Sequence, residues 1–491
     1  MKRNFYSLLA LALILALYLG GTAALTKSIP FSENQEEGIS TDLNYGKVKI
    51  KKFPFAVQCW TFRKYTFFET LDKVNELGIK YIEAYPGQKL SKEWEGVRFD
   101  HNLDNEMIKM VQNRLREKEM ILVSYGVVGF ENNEESMEKI FQFARKLGIR
   151  TVVTEPAYDD YSLIEKMVKK YNIKVGIHNH PEPSKYARSE TVLSHVKGLD
   201  ERIGAYADTG HWMRTGVNPV EALRMLRGRI IGVHLKDLNV FGDKQAHDVP
   251  FGSGKANIHD ILAELTLQDY TGFLIIEHEN PAEIDNPSPS IRMGIDYIKS
   301  ITYYQDYEQI LSSWMGIYSK HGWNHYGPGY FELDESSGVL KSQGGMGLFW
   351  YSVKKYRDFI IELDFKCSRE DTNSGIFLRV PEIPVNNDYI YHSFEIQIYD
   401  KGQGIHKTGA AYDAEAPMQD AFKPTGEWNH FKITFKGDRI IVELNDVLVL
   451  NWEAEPRGKI TDFAEEGYIG LQNHDSISPV YFKNIYIKEI T

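Results

Sequence analysis

The chain has 491 residues, a length that suggests two to four domains. Its hydrophobic content of 42% and charged content of 25% are ordinary for a globular protein. The net charge of -11 gives a nucleic-acid-binding role no electrostatic support, so we expect no nucleic acid among its partners.

The N-terminus has the pattern of a targeting segment. Two basic residues at positions 2 and 3 precede an apolar run over residues 8–19, which is short for a bilayer span. We expect a signal peptide over residues 1–24, with an uncleaved anchor as the alternative, and a polar linker over residues 25–52. The mature chain would then be exported, periplasmic or at the cell surface, with no stable membrane insertion.

Residues 53–302 alternate short β-rich runs with helical stretches, the pattern of a parallel α/β fold. Gly78 and Gly148 each end a helical stretch just before a strand, as a glycine after a helix C-terminus allows. Eight such units over about 250 residues predict a (β/α)8 TIM barrel, with a doubly wound open sheet as the alternative. The eight predicted strands are "FAVQCW", "KYIEAY", "MILVSY", "RTVVTE", "KVGIHNH", "IGAYAD", "IIGVHLK" and "GFLIIEHE".

The C-terminal part has a different pattern. Alternating strands separated by Gly, Asn, Asp and Pro turns predict an all-β sandwich over residues 335–491. Residues 303–334 are the predicted connector, although "GWNHYGPGYFELD" fits the second domain equally well. The two cysteines, Cys59 and Cys367, fall in different predicted domains, so we expect buried thiols and no disulfide.

Ionisable side chains lie at the ends of five consecutive predicted barrel strands. In TIM barrels the chemistry takes place at this C-terminal face. Each residue alone has an ordinary explanation, such as a helix N-cap for Asp208, but five costly groups at one rim indicate a site. Mixed His and carboxylate groups suit a divalent ion such as Mn, Co, Zn, Fe(II) or Mg. From the fourth strand to the eighth, the residues are Glu155, His178 and His180, Asp208 and His211, His234 and Lys236, and Glu277 and Glu279.

Residues 54–301 resemble the sugar phosphate isomerase/epimerase superfamily, the xylose-isomerase-like barrels. The resemblance rests on "ADTGHW", "VHLKD", "VPFGSGKANIHDIL" and "FLIIEHE", in the expected order. It implies that one divalent ion is held by the last four strands, through His178, Asp208, His234 and Glu277.

This chain departs from the epimerases of that superfamily at the fifth strand. Epimerases have a glutamate there, which works with the glutamate of the eighth strand from opposite faces of the reacting carbon. His178 takes its place here, as in inosose-dehydratase-like members, which eliminate a group next to a ketone. His180 is then an alternative ligand or an acid/base group. The predicted catalytic residues are Glu155, His180, Lys236 and His211.

Residues 335–491 resemble the 3-keto-disaccharide hydrolase family, which has a concanavalin-like jelly roll. The matching pieces are "NSGIFLR", "FEIQIYD", "TGAAYD", "KPTGEWNHFKITF" and "GYIGLQNHD". Polar side chains on one face of central strands either face solvent or line a groove, and a carbohydrate-binding module without catalysis is the alternative. The predicted sugar-binding residues are Asn373, Arg379, Glu395, Gln397, Tyr412 and His474.

Together these patterns predict an enzyme that acts on 3-keto-glycosides. The barrel would eliminate the aglycone with metal assistance, and the β domain would hydrate or hydrolyse the product. A separate sugar 3-dehydrogenase would supply the ketone, because no G-x-G-x-x-G fingerprint follows a predicted strand. The alternatives are a metal-dependent sugar isomerase or epimerase with an appended binding module, and a glycan-binding protein whose barrel has lost activity.

Overall fold

The computed structural model describes residues 44–94, 96–314 and 317–491. The predicted signal peptide and most of the predicted linker lie outside this range. The last linker residues that are described pack on the barrel, where the Gln305 carboxamide bonds to both backbone groups of Ile50, at 2.8 and 2.7 Å. Within the described range, no helix combines the length and apolar character that crossing a membrane requires.

The eight predicted strands form a closed parallel barrel. Each strand pairs with its sequence neighbours, and the eighth closes onto the first. The TIM barrel prediction is therefore confirmed, and the open-sheet alternative is wrong. The strands are β1 (Phe55–Gln58), β2 (Tyr81–Ala84), β3 (Ile121–Tyr125), β4 (Thr151–Thr154), β5 (Lys174–His178), β6 (Ile203–Asp208), β7 (Ile230–Leu235) and β8 (Leu274–Ile276).

Helices surround this barrel, and their ends follow the local sequence. Thr66 and Glu69 form a reciprocal capping box at the start of α1, in which each side chain accepts a bond from the other residue's backbone N–H. Gly78 and Gly148 have φ angles of 75° and 74°, the left-handed conformation that the C-terminal cap requires. The helices are α1 (Phe67–Glu76), α2 (Asn105–Glu117), α3 (Glu134–Lys146), α4 (Tyr161–Tyr171), α5 (Ser189–Val196), α6 (Thr209–Thr215), α7 (Pro219–Met225), α8 (Ile258–Leu267) and α9 (Ser288–Thr302).

Tyr206 fills the centre of the barrel. Its buried ring belongs to an interior cluster with Ala56, Val153 and Ile275. Gly176 and Gly232 make room for it, since a Cβ on either residue would lie 2.5 or 2.1 Å from the ring. The hydroxyl group of this ring donates a hydrogen bond to the Glu83 carboxylate. The packed interior thus supports a polar group near the upper end of β2.

The C-terminal domain is a sandwich of antiparallel sheets, as predicted. One sheet has the order β12–β13–β22–β15–β18–β19–β20, and the five-stranded sheet has the order β11–β14–β21–β16–β17. A separate hairpin joins β9 and β10. The strands are β9 (Ser312–Trp314), β10 (Ile317–Ser319), β11 (Trp323–Tyr326), β12 (Tyr330–Asp334), β13 (Val339–Gln343), β14 (Gly347–Tyr356), β15 (Phe359–Cys367), β16 (Ser374–Val380), β17 (Phe394–Ile398), β18 (Asn429–Lys436), β19 (Arg439–Leu444), β20 (Val447–Glu453), β21 (Gly467–Asn473) and β22 (Val480–Glu489).

The sandwich begins earlier than residue 335, the boundary expected from the sequence. Strands β11 and β12 belong to the two main sheets, and Glu308–Gln309 already pairs with β22. The expected connector over residues 303–334 is therefore mostly sheet. Its short strands, separated by glycine and proline turns, resemble linker composition when they are read without their partner strands.

The barrel and the sandwich contact each other through α9 and β22. Asp296 on α9 lies 3.8 Å from the Lys483 ammonium group and 3.4 Å from the Asn484 amide. Beyond α9, the Tyr304 ring stacks on Tyr486 with centroids 3.9 Å apart. This contact involves the outer helical layer of the barrel. Both cysteines are free and buried, as expected.

Candidate active site

A cavity of about 360 Å³ opens at the C-terminal end of the barrel strands. Four of the predicted histidines reach it, together with both carboxylates that follow β8. Aromatic residues form the opposite wall. The lining residues are Gln58, Trp60, Tyr85, Pro86, Gly126, Val127, His178, His180, His211, His234, Glu277 and Glu279.

The four predicted metal ligands converge around one carboxylate oxygen. Asp208 Oδ2 lies 3.6 Å from His178 Nε2 and 3.6 Å from His234 Nδ1, and Glu277 Oε2 lies 3.0 Å from His234 Nδ1. Both ring nitrogens of His178, Asp208 Oδ2 and His234 Nδ1 are buried and have no hydrogen-bond partner among the described residues. Such groups are costly unless something pairs with them. Asp208, His234 and Glu277 lie close enough together to share one divalent ion, and His178 lies in an adjoining group with Asp208 and His211.

The two oxygens of Asp208 have different tasks. Oδ1 accepts a hydrogen bond from the His211 backbone N–H at 2.7 Å and so caps α6. The Asp208 N–H is in turn held by Asn179 Oδ1 at 2.7 Å. Oδ2 accepts no hydrogen bond from the described residues and faces the site, where its charged neighbour is the Lys236 ammonium group at 3.1 Å. The N-cap explanation for this aspartate is thus confirmed for Oδ1, and Oδ2 stays available for the predicted metal site.

His234 is oriented by a buried carboxylate that lies behind it. Its Nε2 lies 2.7 Å from Glu83 Oε1, so Nε2–H donates to this carboxylate and Nδ1 is turned towards Asp208 and Glu277. Glu83 also accepts bonds from Gln58, Ser124 and Tyr206. This is the carboxylate–histidine arrangement that orients metal ligands in proteins.

His180 and His211 are held in complementary tautomers. His180 Nδ1 lies 2.7 Å from Glu155 Oε1, so Nδ1–H donates a hydrogen bond to the carboxylate and the lone pair of the neutral ring is on Nε2. Arg214 donates to His211 Nδ1 at 3.0 Å, which places the proton of the neutral ring on Nε2. The two ring centroids are 5.1 Å apart. One imidazole is thus ready to accept a proton and the other to donate one.

Lys236 balances part of the negative charge. Its fully buried ammonium group lies 3.1 Å from Asp208 Oδ2 and 2.9 Å from Glu277 Oε2, and it also bonds to Glu279. Burial opposes its charge, but the carboxylates of Asp208 and Glu277 overcome this and hold the pKa of Lys236 well above its usual range. One ammonium group does not balance the charge of three carboxylates, and a bound cation would balance the remainder.

In the β domain, three of the predicted residues share one face of the five-stranded sheet. Glu395 and Gln397 lie on β17, and Tyr412 is placed opposite Glu395, whose backbone oxygen accepts its N–H at 2.8 Å. Beside them lies an aromatic cluster that includes Trp350 and Tyr389. This face has the composition expected for sugar recognition, a polar edge next to rings.

Arg379 differs from the expectation. Strict alternation along β16 predicted that it would share the face of Phe377, but the strand has a register irregularity after Phe377 and Arg379 has a φ of 56°. The side chain instead donates to the Arg357 carbonyl oxygen at 2.9 Å and lies 3.6 Å from the ring centroid of Phe435 in the other sheet. Its role is to tie the sheets together, and it does not join the groove.

Asn373 and His474 also lie apart from this group. Asn373 precedes β16, and His474 follows β21 with 43% of its side chain exposed. The nearest charged partner of His474 is Asp475, at 3.6 Å. Within the described residues, neither side chain hydrogen-bonds to Glu395, Gln397 or Tyr412.

Comparison with known proteins identifies both domains. Residues 71–301 match the family model of the xylose isomerase-like TIM barrel, and residues 314–488 match that of the 3-keto-alpha-glucoside-1,2-lyase-like domain. Each domain of the chain thus matches the model of one family.

Individual proteins are similar to parts of this chain. An inosose dehydratase from Mesomycoplasma hyopneumoniae is 24% identical over 218 residues, 36% of this chain and 73% of that protein. A 3-keto-disaccharide hydrolase from Bacteroides thetaiotaomicron is 26% identical over 219 residues, 34% of this chain and 74% of that protein. A crystal structure of an uncharacterized protein from Parabacteroides distasonis is 30% identical, covers 51% of this chain and 99% of its own, and has a TM-score of 0.43.

Glu83 is not among the residues predicted from the sequence, because it lies on the second strand and the predicted site is confined to the ends of strands four to eight. The signal was present in "YIEAY", where a glutamate occupies an otherwise apolar strand. The alternation of side chains along β2 points Glu83 into the barrel, where its carboxylate orients the His234 ring.

We expect Glu83→Gln to lower the affinity of the site for divalent ions by about 10- to 100-fold, because the His234 ring loses the charged acceptor that orients it and raises its basicity. Isothermal titration of metal-stripped protein measures this. The exposed Glu76→Gln on α1 is the matched control and should bind normally. Equal affinities for the two variants would show that Glu83 has only a packing role.

Proposed function

We propose that this chain acts on 3-keto-glycosides, and that the barrel catalyses proton transfer next to the ketone with loss or gain of an oxygen substituent on the adjacent carbon. The observation that carries the proposal is the pair of complementary imidazoles, His180 and His211, beside a convergent set of unpaired metal-binding atoms. The similarity to an inosose dehydratase and to a 3-keto-disaccharide hydrolase supports a keto-sugar substrate.

The residues of the barrel divide the proton transfers between them. The hydrogen on the carbon next to a ketone is acidic, and His180 Nε2 can remove it while Glu155 stabilises the charged ring. His211, with its proton on Nε2, can donate to the departing oxygen. Glu155 acts through His180, and Lys236 is buried behind the carboxylates, so of the four predicted catalytic residues only His180 and His211 line the cavity.

His178, Asp208, His234 and Glu277 would hold the divalent ion. Such an ion supplies Lewis-acid polarisation of a ketone oxygen when it is bound. His178 lies between the predicted metal ligands and the proton-transfer residues, because its Nε2 faces Asp208 while its Nδ1 lies 3.5 Å from Glu155. The choice among Mn, Co, Zn and Mg stays open, since mixed His and carboxylate ligands accept several of them.

The division of labour between the domains follows from the direction of the barrel reaction. The sequence suggested elimination of the aglycone in the barrel and water addition in the β domain. The description of the β domain as 1,2-lyase-like favours the reverse order. An elimination site run backwards adds water, so the same barrel residues serve either direction. Export and an upstream sugar 3-dehydrogenase remain part of the proposal.

The test is mass spectrometry of the full chain with an aryl 3-keto-glucoside and a divalent ion in deuterated water. We expect release of the aryl group and one solvent deuterium on carbon 2 of the keto-sugar, because the elimination and hydration sequence breaks and re-forms that C–H bond. His180→Gln should slow deuterium uptake about 100-fold or more with metal binding retained, and the exposed His321→Gln should change nothing.

Two results contradict the proposal in different ways. Aglycone release without deuterium on carbon 2 would indicate direct hydrolysis and exclude the elimination route. Isomerisation or epimerisation of a free ketose, with the glycosidic bond of the aryl substrate left intact, would identify the barrel as a sugar isomerase and the β domain as its binding module.

A further inference from the structure

A groove of about 890 Å³ lies between α9 of the barrel and the larger sheet of the sandwich. It is larger than the barrel cavity, which has a volume of about 360 Å³, and the two share no lining residue. Clefts between domains are a common location for ligand sites in proteins. The groove is therefore a separate candidate site.

Strands of the larger sheet supply one wall of the groove. Lys341 on β13, Tyr481 on β22 and Lys366 on β15 are directly opposite one another in the strand register, so their side chains share one face of the sheet. A neighbour of each along its strand is buried in the sandwich core, which places these three side chains on the outer face. Two ammonium groups thus flank an aromatic ring on this wall.

Lys483, also on β22, is a buried cation without a close partner. The residue lines the groove and is only 6% exposed. The nearest carboxylate oxygens, of Asp296 and Asp364, lie 3.8 and 4.0 Å from its ammonium group. These distances exceed hydrogen-bond length, and no other acceptor among the described residues bonds to it. A buried ammonium group is costly until acceptors surround it, so this lysine can still bind a ligand oxygen.

Lys366 and Arg292 bring two more positive charges to the same part of the groove. The Lys366 ammonium group lies 5.0 Å from the ring centroid of Trp428 and 4.8 Å from that of Tyr481. Lys483 lies 4.8 Å from the Trp428 ring as well. No ion pair joins Lys366 or Arg292 to a carboxylate in the described ranges. Burial, together with the positive charges of Lys483 and Arg292, lowers the pKa of Lys366. The aromatic rings hold the ammonium groups in place but supply no negative charge.

The acidic residues of the groove accept hydrogen bonds within the protein. Glu332 accepts one from the Gln343 amide at 2.9 Å, and Asp296 accepts one from the Asn484 amide at 3.4 Å. Neither forms an ion pair with Lys366 in the described part of the chain. The positive charge around Trp428 therefore stays available to an anion.

The remainder of the groove is rich in hydroxyl groups. Ser288 and Ser290 come from the first turn of α9, and Ser336 and Ser337 come from the turn after β12, where both donate to Asp334 at 2.6 Å. Such groups exchange hydrogen bonds with the hydroxyl groups of a sugar. The cationic part fits a carboxylate, because charge-assisted hydrogen bonds to carboxylates are the strong ones. A sugar acid uses both parts of the groove.

We propose that this groove binds an acidic oligosaccharide, in which a uronate carboxylate contacts Lys366, Lys483 and Arg292 and the sugar hydroxyl groups contact the serines. The site anchors a glycan and catalyses no reaction, so the proposal goes beyond the proposed function and does not depend on it. The net charge of the chain is -11, so an anion needs a local cluster of cations such as this one to bind. No family description or relative's name assigns a ligand to these residues.

The test is isothermal titration of the full chain with trigalacturonate and with the same trisaccharide after methyl esterification of its carboxylates. We expect trigalacturonate to bind at one site per chain and the ester to bind at least about 10-fold more weakly, since it has lost the charged acceptors. Lys366→Met should weaken trigalacturonate binding about 10-fold or more. Trp428→Leu should do the same, because its ring holds two of the ammonium groups. The exposed Lys436→Met on β18 is the matched control and should bind normally.

Thermal melts without ligand give a second test. Lys366→Met removes a partly buried charge that has no carboxylate partner among the described residues, so its melting temperature should equal or exceed that of wild type. A clearly lower melting temperature would show that the chain itself already satisfies this ammonium group, which would overturn the cationic site.

The titrations separate this proposal from that for the barrel. Equal affinity for the acid and its ester would overturn the groove, because the cations would then contribute nothing. Full affinity of both Lys366→Met and Trp428→Leu would also overturn it, since binding would occur elsewhere, and so would a wild type that binds neither sugar at millimolar concentration. A wild type that binds the acid but leaves 3-keto-glycosides unchanged would support the groove and refute the proposed function.

Discussion

Glu277→Gln is expected to lose the stoichiometric divalent ion and, with it, the reaction of the barrel. Glu277 Oε2 lies 3.0 Å from His234 Nδ1, the ring atom that Glu83 turns towards the site. The amide keeps the size of the side chain but removes one of the charges that hold a cation. Loss of a directly binding carboxylate should exceed the effect of an outer-shell change, so we expect affinity to fall more than about 100-fold. Metal analysis after dialysis measures the loss.

Glu279→Gln provides the matched control for this experiment. Glu279 is two residues away, also lines the cavity, and bonds to Lys236 and Trp60. Since it does not face His178 or His234, its amide variant should keep the ion. Stoichiometric metal in Glu277→Gln, or equal loss in both variants, would remove Glu277 from the ligand set.

The barrel could be predicted because its local signals agree with its global pattern. Each apolar run is long enough for one barrel strand, and glycines such as Gly78 and Gly148 mark where helices end. The parallel arrangement brings all strand ends to one face of the barrel. The sequence alone therefore places Asp208, His234 and Glu277 in one candidate site, although they lie far apart along the chain.

Features that depend on contacts across the sheet were less accessible. Glu83 is functional only because His234 and Tyr206, more than a hundred residues later, both reach it. The tautomers of His180 and His211 depend on Glu155 and Arg214 in the same way. A sequence lists these residues but does not state which ring nitrogen each of them contacts.

Arg379 illustrates a different limit. Period-two alternation assigns faces correctly along a regular strand, and it does so for Glu395 and Gln397 on β17. Arg379 has a φ of 56°, and this breaks the alternation. Its side chain therefore does not lie on the face that counting along the strand predicts. Because arginine is rare in the left-handed region, nothing in "SGIFLRV" announces the irregularity. A predicted binding residue became a structural one through a single backbone change.

Lys236 links the stability of the barrel to the binding of a metal ion. Its chain crosses Gly210 so closely that a Cβ there would lie 2.8 Å from the lysine Cβ. The ammonium group thereby reaches Asp208 and Glu277, the same two carboxylates that would bind an ion. In metal-free protein this lysine is a main source of positive charge for them. A bound cation would supply positive charge to the same two carboxylates.

Lys236→Met should therefore destabilise metal-free protein by about 3 to 5 kcal/mol, the usual cost of leaving buried charges without their partner, and addition of a divalent ion should recover most of the loss. Methionine fills a similar volume without the charge, and removing a neighbouring cation should not weaken metal binding. Thermal melts with and without metal measure both effects, with the exposed Lys255→Met as the control. If metal restores no more stability to Lys236→Met than to wild type, the lysine and the ion do not compensate the same carboxylates. The ion would then have to lie elsewhere at the rim, either at Glu155, His178 and His180 or at His178, Asp208 and His211.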